Sequence, residues 1–353
     1  MRRERVMRPI LLALIAALLF GLSTPAAKIL LDTTDPWLLA GLFYLGSGLG
    51  LGGLRVILLL IGRAPRDAPL RRRDVPWLTG AILTGGIVGP VFLMFGLAGG
   101  SASQAALLLN LEGVLTAALA WLVFREHVDA RIALGMALIT GGALVLAWQP
   151  ERGEPIGRHA VFVAGACLAW ALDNNLTRKV SGGDATLVAA LKGGAAGAVN
   201  LTIAMAMGAP FPGWGDAFGA AAVGLLGYGV SLTLFVLALR ELGAARTGAY
   251  FSTAPFIGAV ASIAMLGEPV SRRLAAGGLL MAAGVWLHVS ERHVHEHVHE
   301  PLAHEHIHRH DDAHHAHEHE AGTSEPHSHW HVHGELRHSH PHYPDLHHRH
   351  RHT

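Results

Sequence analysis

Glu112, Asp173, Lys192 and Arg55 are ionisable side chains set inside long apolar stretches. A charge in such a place costs roughly 2.5–3.5 kcal/mol on membrane-insertion scales, so by default it points to function. Glu112 stands close to Asn110. A carboxylate there can hold an amine, or take up and release a proton. The plainer alternative is a carboxylate wetted at the outer half of its helix or capping backbone groups. Asp173 belongs to the run Trp170-Ala-Leu-Asp173-Asn174-Asn175. Successive helical side chains point about 100° apart. The three polar ones therefore cannot all face one cavity, and at least one bonds another helix or reaches an edge. Lys28 either meets a solute or stretches its stem to the interface. Lys192 and Arg55 read as interface anchors near helix ends. Ser23, Thr24 and Pro25 loosen the first apolar stretch and expose carbonyls; Tyr250, Ser252 and Pro255 do the same in a later one.

A second chemistry lies at the C-terminus. All but three of the 26 histidines fall beyond residue 288, the exceptions being His127, His159 and His288. They alternate: His293, His295, His297 and His299, then His304, His306, His308 and His310, with His314, His315, His317 and His319 following. In an extended chain, residues i and i+2 share a side. Two neutral imidazoles can then grip one ion, with a nearby Glu as third ligand. Imidazole suits Zn, Cu, Ni and Co, and such tracts are read compositionally as metal-binding. The other reading is a tail that gains positive charge as pH falls through about 6.5. Leu, Val and Ile are too sparse here for a core, so this tail is expected to be disordered.

The elements that carry these residues are apolar. The chain is 51% hydrophobic and 15% charged, against about 25% charged in a soluble protein. Without the polar tail, roughly 290 residues remain, enough for about ten spans of roughly 20. The spans are expected at 9–31, 36–62, 76–97, 102–124, 131–149, 159–177, 185–208, 217–239, 244–266 and 272–289. They should be helices, because backbone polar groups in lipid must be satisfied internally. The basic, then apolar start resembles a signal peptide with a conceivable cut after Ala26; an uncleaved first span is the expectation. Counted through alternate corners, Arg2, Arg3, Arg5, Arg8, Arg63, Arg66, Arg71, Arg72, Arg73, Arg125, Arg131, Arg178, Lys179, Arg240 and Arg246 fall on one side. Only Arg152, Arg158, Arg272 and Arg273 fall on the other. The bias places both termini in the cytoplasm.

The spans come in two sets. Residues 126–142 read EHVDARIALGMALITGG and residues 268–284 read EPVSRRLAAGGLLMAAG. Shifted by 142 positions, Glu126 meets Glu268, Val128 meets Val270, Arg131 meets Arg273 and Gly142 meets Gly284. Phe20 precedes Lys28 by eight residues, as Trp170 precedes Arg178. The expected organisation is an all-α membrane protein. Two five-helix repeats, 1–150 and 151–290, are inverted because each holds an odd number of spans, and a tail occupies 291–353. Inverted repeats place a substrate path near the bilayer midplane, at their interface.

Gly48, Gly50 and Gly53 spell G-x-G-x-x-G, but within an apolar helix rather than between strand and helix, which argues against a dinucleotide site. Gly48 and Gly52 are expected to let helices approach closely. There is no P-loop, nucleophile elbow or H-E-x-x-H, so neither an enzyme nor a nucleic-acid binder is expected. No cofactor is required beyond ions on the tail, and the lone Cys167 excludes an intrachain disulfide.

The chain resembles the EamA family of the drug/metabolite transporter superfamily. AALLFGLSTPAAKILL resembles the family's opening helix. The corners FREHVDAR and LGEPVSRR resemble its repeated Gly-Glu-hydrophobic signature, and TAPFIGAVASIAMLGEP is similar to its ninth span. Arg125 departs from the usual Gly. Gly113 stands where a Pro is common, so the fourth span is expected to be straighter. The resemblance implies export or exchange of small organic solutes by alternating access in the plasma (inner) membrane. Spans one, three, four, six, eight and nine would line the path. The tail would respond to metal. Two alternatives stay open: efflux of Zn, Ni or Co fed by the tail, and a membrane-anchored metal buffer. Substrate and oligomeric state are not legible.

Overall fold

The computed structural model describes residues 2–62, 70–124, 130–149, 154–177, 184–242, 244–290, 294–299, 302–308, 327–333 and 336–341. The apolar stretches are helices. Among the described residues, nine are long and apolar enough to cross a membrane. They begin with α1 (Arg2–Leu30) and α2 (Pro36–Leu60). The third span is α3 (Val75–Ala81), a π-helical stretch (Ile82–Val88) and α4 (Gly89–Gly99). The fourth is α5 (Ala102–Leu108) and α6 (Leu111–Phe124), followed by α7 (Ala130–Ala147). A short β1–β2 pair (Trp148–Gln149, Glu154–Ile156) leads to α8 (Arg158–Thr177) and α9 (Ala185–Ala206). The eighth span is α10 (Trp214–Gly224), a second π-helical stretch (Leu225–Val230) and α11 (Ser231–Leu242). The ninth is α12 (Ala244–Phe251) and α13 (Ala254–Leu266). The helix expected as a tenth span, α14 (Arg272–Val289), forms and packs along α7, but it is not among the nine. It opens on Arg272-Arg273 and closes near His288.

Irregularities fall at matching places. The two π-helical stretches start 143 residues apart, and so do the turns at Leu109-Asn110 and Ser252-Thr253. The fourth span is therefore broken rather than straighter, despite Gly113. The Asn110 amide donates to Leu107 O at 2.8 Å, a local bond that competes with the helix ladder. In the ninth span Pro255 opens α13, because proline lacks the N–H that an unbroken helix needs. Packing is cross-matched as well: α2 lies on α9 and α7 on α14. Helix α1 packs on α13 and the eighth span, while α8 packs on α6 and the third span.

Small residues permit these approaches. A Cβ on Gly48 would fall 2.2 Å from Gly194 N, so α2 and α9 touch backbone to backbone. Gly52 meets nothing within 4 Å and takes no part in packing, contrary to the expectation.

Three charged side chains, among them the path candidate Lys28, hold helix ends in place. Lys28 Nζ donates to Leu97 O (2.7 Å) and Gly100 O (3.0 Å), closing the carbonyl end of α4. Arg55 pairs with Asp184, whose carboxylate also accepts the Leu187 N–H and caps α9. The repeated corner glutamate has a comparable job. Glu268 accepts the N–H groups of Ala102 (2.6 Å) and Ser103 (2.9 Å), capping α5 from the corner between α13 and α14. Glu268→Ala is expected to cost about 1–2 kcal/mol, read as a lower unfolding midpoint of the purified protein; an unchanged midpoint would sink this role. Glu126 lies outside the described residues.

The tail contains regular structure where none was expected. Strands β3 (Val294–His299) and β6 (Leu336–Pro341) pair antiparallel, as do β4 (Leu302–His308) and β5 (His327–His333). The alternation of His with Val, Glu and Ile is also a strand pattern, with period two. The register sets His304 opposite His331, His306 opposite His329 and His308 opposite His327. His295, His297 and His299 lie in β3. His293, His310, His314, His315, His317 and His319 lie outside the described residues.

Candidate functional site

The site grows from a flaw in the third span. In the π-helical stretch the Gly89 N–H bonds Thr84 O, and the next residue, Pro90, has no N–H to give. The carbonyls of Gly85 and Gly86 are thus left without helical partners. Buried orphan carbonyls must be satisfied from elsewhere. Tyr44 OH donates to Gly85 O at 2.7 Å and Trp170 Nε1 donates to it at 2.9 Å. The fully buried Asn200 amide donates to Gly86 O at 3.3 Å. One glycine carbonyl therefore joins α2 to α8 at the third span. The approach requires glycine: a Cβ on Gly85 would lie 1.9 Å from Asp173 Oδ2.

Trp170, Asp173 and Asn174 share α8 at positions i, i+3 and i+4, one face of a helix. Asp173 is only 4% exposed. It pairs with Lys192 of α9 and accepts the Thr177 hydroxyl at 2.9 Å. Lys192 is thereby a partner of Asp173, not an interface anchor. Asn174 is exposed and donates to Glu112 Oε1 at 2.8 Å and to Thr116 Oγ1 at 3.4 Å. Glu112 sits in the first turn of α6, just beyond the break in the fourth span. Asn175 turns away, donating to Ala171 O at 2.8 Å.

Beside these groups stand edge-on and tilted rings. Tyr228, in the second π-helical stretch, lies 5.6 Å from Tyr44, 5.7 Å from Phe20 and 5.8 Å from Phe43 between ring centroids. Gly227 packs on Ser23 much as Gly85 packs on Asp173.

Of the residues expected here, Glu112, Asp173, Asn174 and Trp170 come together. Asn110 does not join them. Its amide is spent on Leu107 O and faces the Met281 sulfur of α14 at 3.9 Å. Ser23 donates to Phe20 O at 2.6 Å and borders the ring group. Ser252 donates to Gly248 O at 2.6 Å, while Tyr250 and Pro255 are half-buried near the break in the ninth span. Lys28 is taken by α4. Sequence reasoning missed Tyr44, Tyr228 and Gly85. The 142-residue shift maps Gly85 onto Gly227, the one signal that could have marked them.

Two clefts open elsewhere, at the end of the bundle that carries Glu268. One, of about 290 Å³, is lined by Phe95, Gln149, His159 and Phe162 among others. The other, of about 450 Å³, is lined by Ser101, Gln104, Gln149, Glu268 and Arg272 among others. Neither reaches Glu112 or Asp173. Among the described residues no three His, Cys, Asp or Glu side chains converge as a metal site.

A protein described as an uncharacterized transporter from Methanothermobacter thermautotrophicus is 28% identical over 288 residues, spanning 77% of this chain and 83% of that one. A solved structure titled only as the crystal structure of a protein shares the fold, with TM-score 0.57 and 16% identity. The match covers 79% of this chain and 95% of that one. The family profile of the EamA-like transporters matches twice, over residues 7–148 and 158–290. The chain belongs to the EamA-like transporter family, and it is a multi-pass membrane transporter rather than an enzyme.

Proposed function

We propose that this transporter exports small organic metabolites across the plasma membrane by alternating access. Ten helices form two inverted halves, 1–150 and 151–290, with both termini cytoplasmic. The observation that carries the reading is the Glu112–Asn174 bond. It joins the two halves through polar side chains of two apolar spans, beside the Asp173–Lys192 pair. Such groups at a repeat interface are where transporters of this plan hold their solutes. The breaks in the fourth and ninth spans and the paired π-helical stretches supply places for the halves to flex. The tail, 291–353, binds Zn, Ni, Co or Cu and regulates the bundle without touching the solute. Its cross-strand histidine register supports that part.

The test is efflux from preloaded cells carrying the full chain, Glu112→Gln, or a chain ending at Ser290. The labels are a radioactive amino-acid mixture and radioactive zinc. The full chain should speed efflux of organic label. Glu112→Gln should slow it about 10- to 100-fold, the worth of one charge-assisted hydrogen bond. The shortened chain should keep transport but lose its response to zinc. Zinc efflux alone, abolished by the shortening, would replace this reading with metal export.

A further inference from the structure

We infer, resting on that transporter reading, that the central site takes solutes bearing one cationic nitrogen, and that the Asp173–Lys192 pair sets this charge preference. The argument is a local balance of charge. Three ionisable side chains meet at the site: Asp173 and Lys192 as a pair, and Glu112 through Asn174, the residue after Asp173. Lys192 is committed to Asp173, and the two cancel. Among the described residues, Lys28 is occupied on the end of α4 and Arg55 on Asp184. Among the described residues the Glu112 side chain bonds the neutral amide of Asn174, which uses one oxygen. The ionised site thus carries one net negative charge in surroundings that strongly disfavour it. A solute ammonium group relieves that charge; a neutral solute leaves it, and an anion adds to it.

The rest of the site suits the same guest. Tyr44 is tied to the Gly85 carbonyl, at the residue that packs on Asp173, and its ring lies 5.6 Å from that of Tyr228. Their rings, with Phe20 and Phe43, form a continuous aromatic wall. Aromatic faces attract cations and pack against apolar bodies. The carbonyl of Gly85 is already taken by Tyr44 and Trp170, so that wall is held in place before any solute arrives. The guest is an amine with an apolar or aromatic body.

Three probes with the same phenylethyl body separate the possibilities: phenethylamine (cation), phenylalanine (zwitterion) and hydrocinnamate (anion). Binding is measured by calorimetry on the purified full chain. Wild type should prefer phenethylamine. Glu112→Gln should weaken that binding about tenfold or more and should not weaken binding of hydrocinnamate, while Glu112→Asp should restore part of the loss. Asp173→Asn, which frees Lys192, should shift preference toward hydrocinnamate. Should that variant fail to fold, Asp173→Asn combined with Lys192→Met, which removes both members of the pair and leaves its net charge unchanged, should keep the preference for phenethylamine. Preference for hydrocinnamate, equal affinity for all three probes, or no binding of phenethylamine overturns the inference. Proteoliposome flux separates this from the transporter reading. Binding as expected without movement of any solute defeats transport and leaves the site. Movement of neutral or anionic solute that ignores Glu112→Gln defeats the site and leaves transport.

Discussion

Gly48→Leu is expected to abolish a stable, monodisperse protein, whereas Gly52→Leu four residues away is expected to be silent. Both glycines lie in one apolar helix, and the sequence ranks them alike. The difference is what stands opposite. A Cβ on Gly48 would sit 2.2 Å from Gly194 N and 2.6 Å from Gly193 C. In return, a Cβ on Gly193 would sit 2.7 Å from Gly48 N, and one on Gly197 would sit 2.4 Å from Leu45 N. These neighbours are backbone atoms, so no side chain can rotate aside, and the added group must push α2 off α9. Lipid gives helices no hydrophobic reason to stay together; close packing is what binds them. Overpacking a core usually costs 1–3 kcal/mol. With a backbone as the obstacle, about 3 kcal/mol or more is expected. Gly52 meets nothing within 4 Å, so leucine there should change stability by less than about 0.5 kcal/mol. Size-exclusion profiles and unfolding midpoints of the two variants in the same detergent make the comparison. Equal damage from both would mean that α2 and α9 are not packed this way.

The contrast marks where sequence reasoning reaches its limit. Span positions were legible because crossing a bilayer demands about 20 apolar residues. The expected helix at 272–289 matches α14, and the one at 36–62 ends two residues late. The doubling was legible too, since Glu126, Arg131 and Gly142 recur at a fixed distance. Partners were not. Nothing around Lys28 tells that its ammonium closes α4, nor around Lys192 that it meets Asp173, because the partner is chosen by packing between helices. The breaks were half-legible. Pro255 announces one, but its counterpart at Leu109-Asn110 has no proline and depends on an amide bonding its own turn. The π-helical stretch at Ile82–Val88 is written only as Pro90, and its consequence, a bare Gly85 carbonyl, appears when Tyr44 and Trp170 arrive from elsewhere in the chain. In the tail, composition spoke for disorder and alternation for strands; the sequence contains both signals and does not rank them.

Lys192→Met is expected to be the most damaging change in the site, and adding Asp173→Asn is expected to undo most of the damage. The Asp173 side chain is 6% exposed and that of Lys192 17% exposed. Methionine matches the lysine stem but leaves a buried carboxylate without its cation. Breaking a buried pair from one side typically costs 3–5 kcal/mol, because the surviving charge stays unsolvated. Asparagine at 173 removes that charge, and its amide oxygen can still accept the Thr177 hydroxyl now bonded at 2.9 Å. Replacing both members of such a pair is often neutral or better. Asp173→Asn alone should fall between the two, since the longer lysine can carry its ammonium toward water. Unfolding midpoints of the four proteins in lipid nanodiscs close a double-mutant cycle, which isolates the pairwise term. Additive losses would mean that the two groups act independently. The cycle also separates stability from selectivity. If the pair exists to keep Glu112 the single uncompensated charge, the double variant should be stable and should still prefer an amine, because the net charge of the site is unchanged. A stable double variant with inverted preference would show that the pair touches the solute directly.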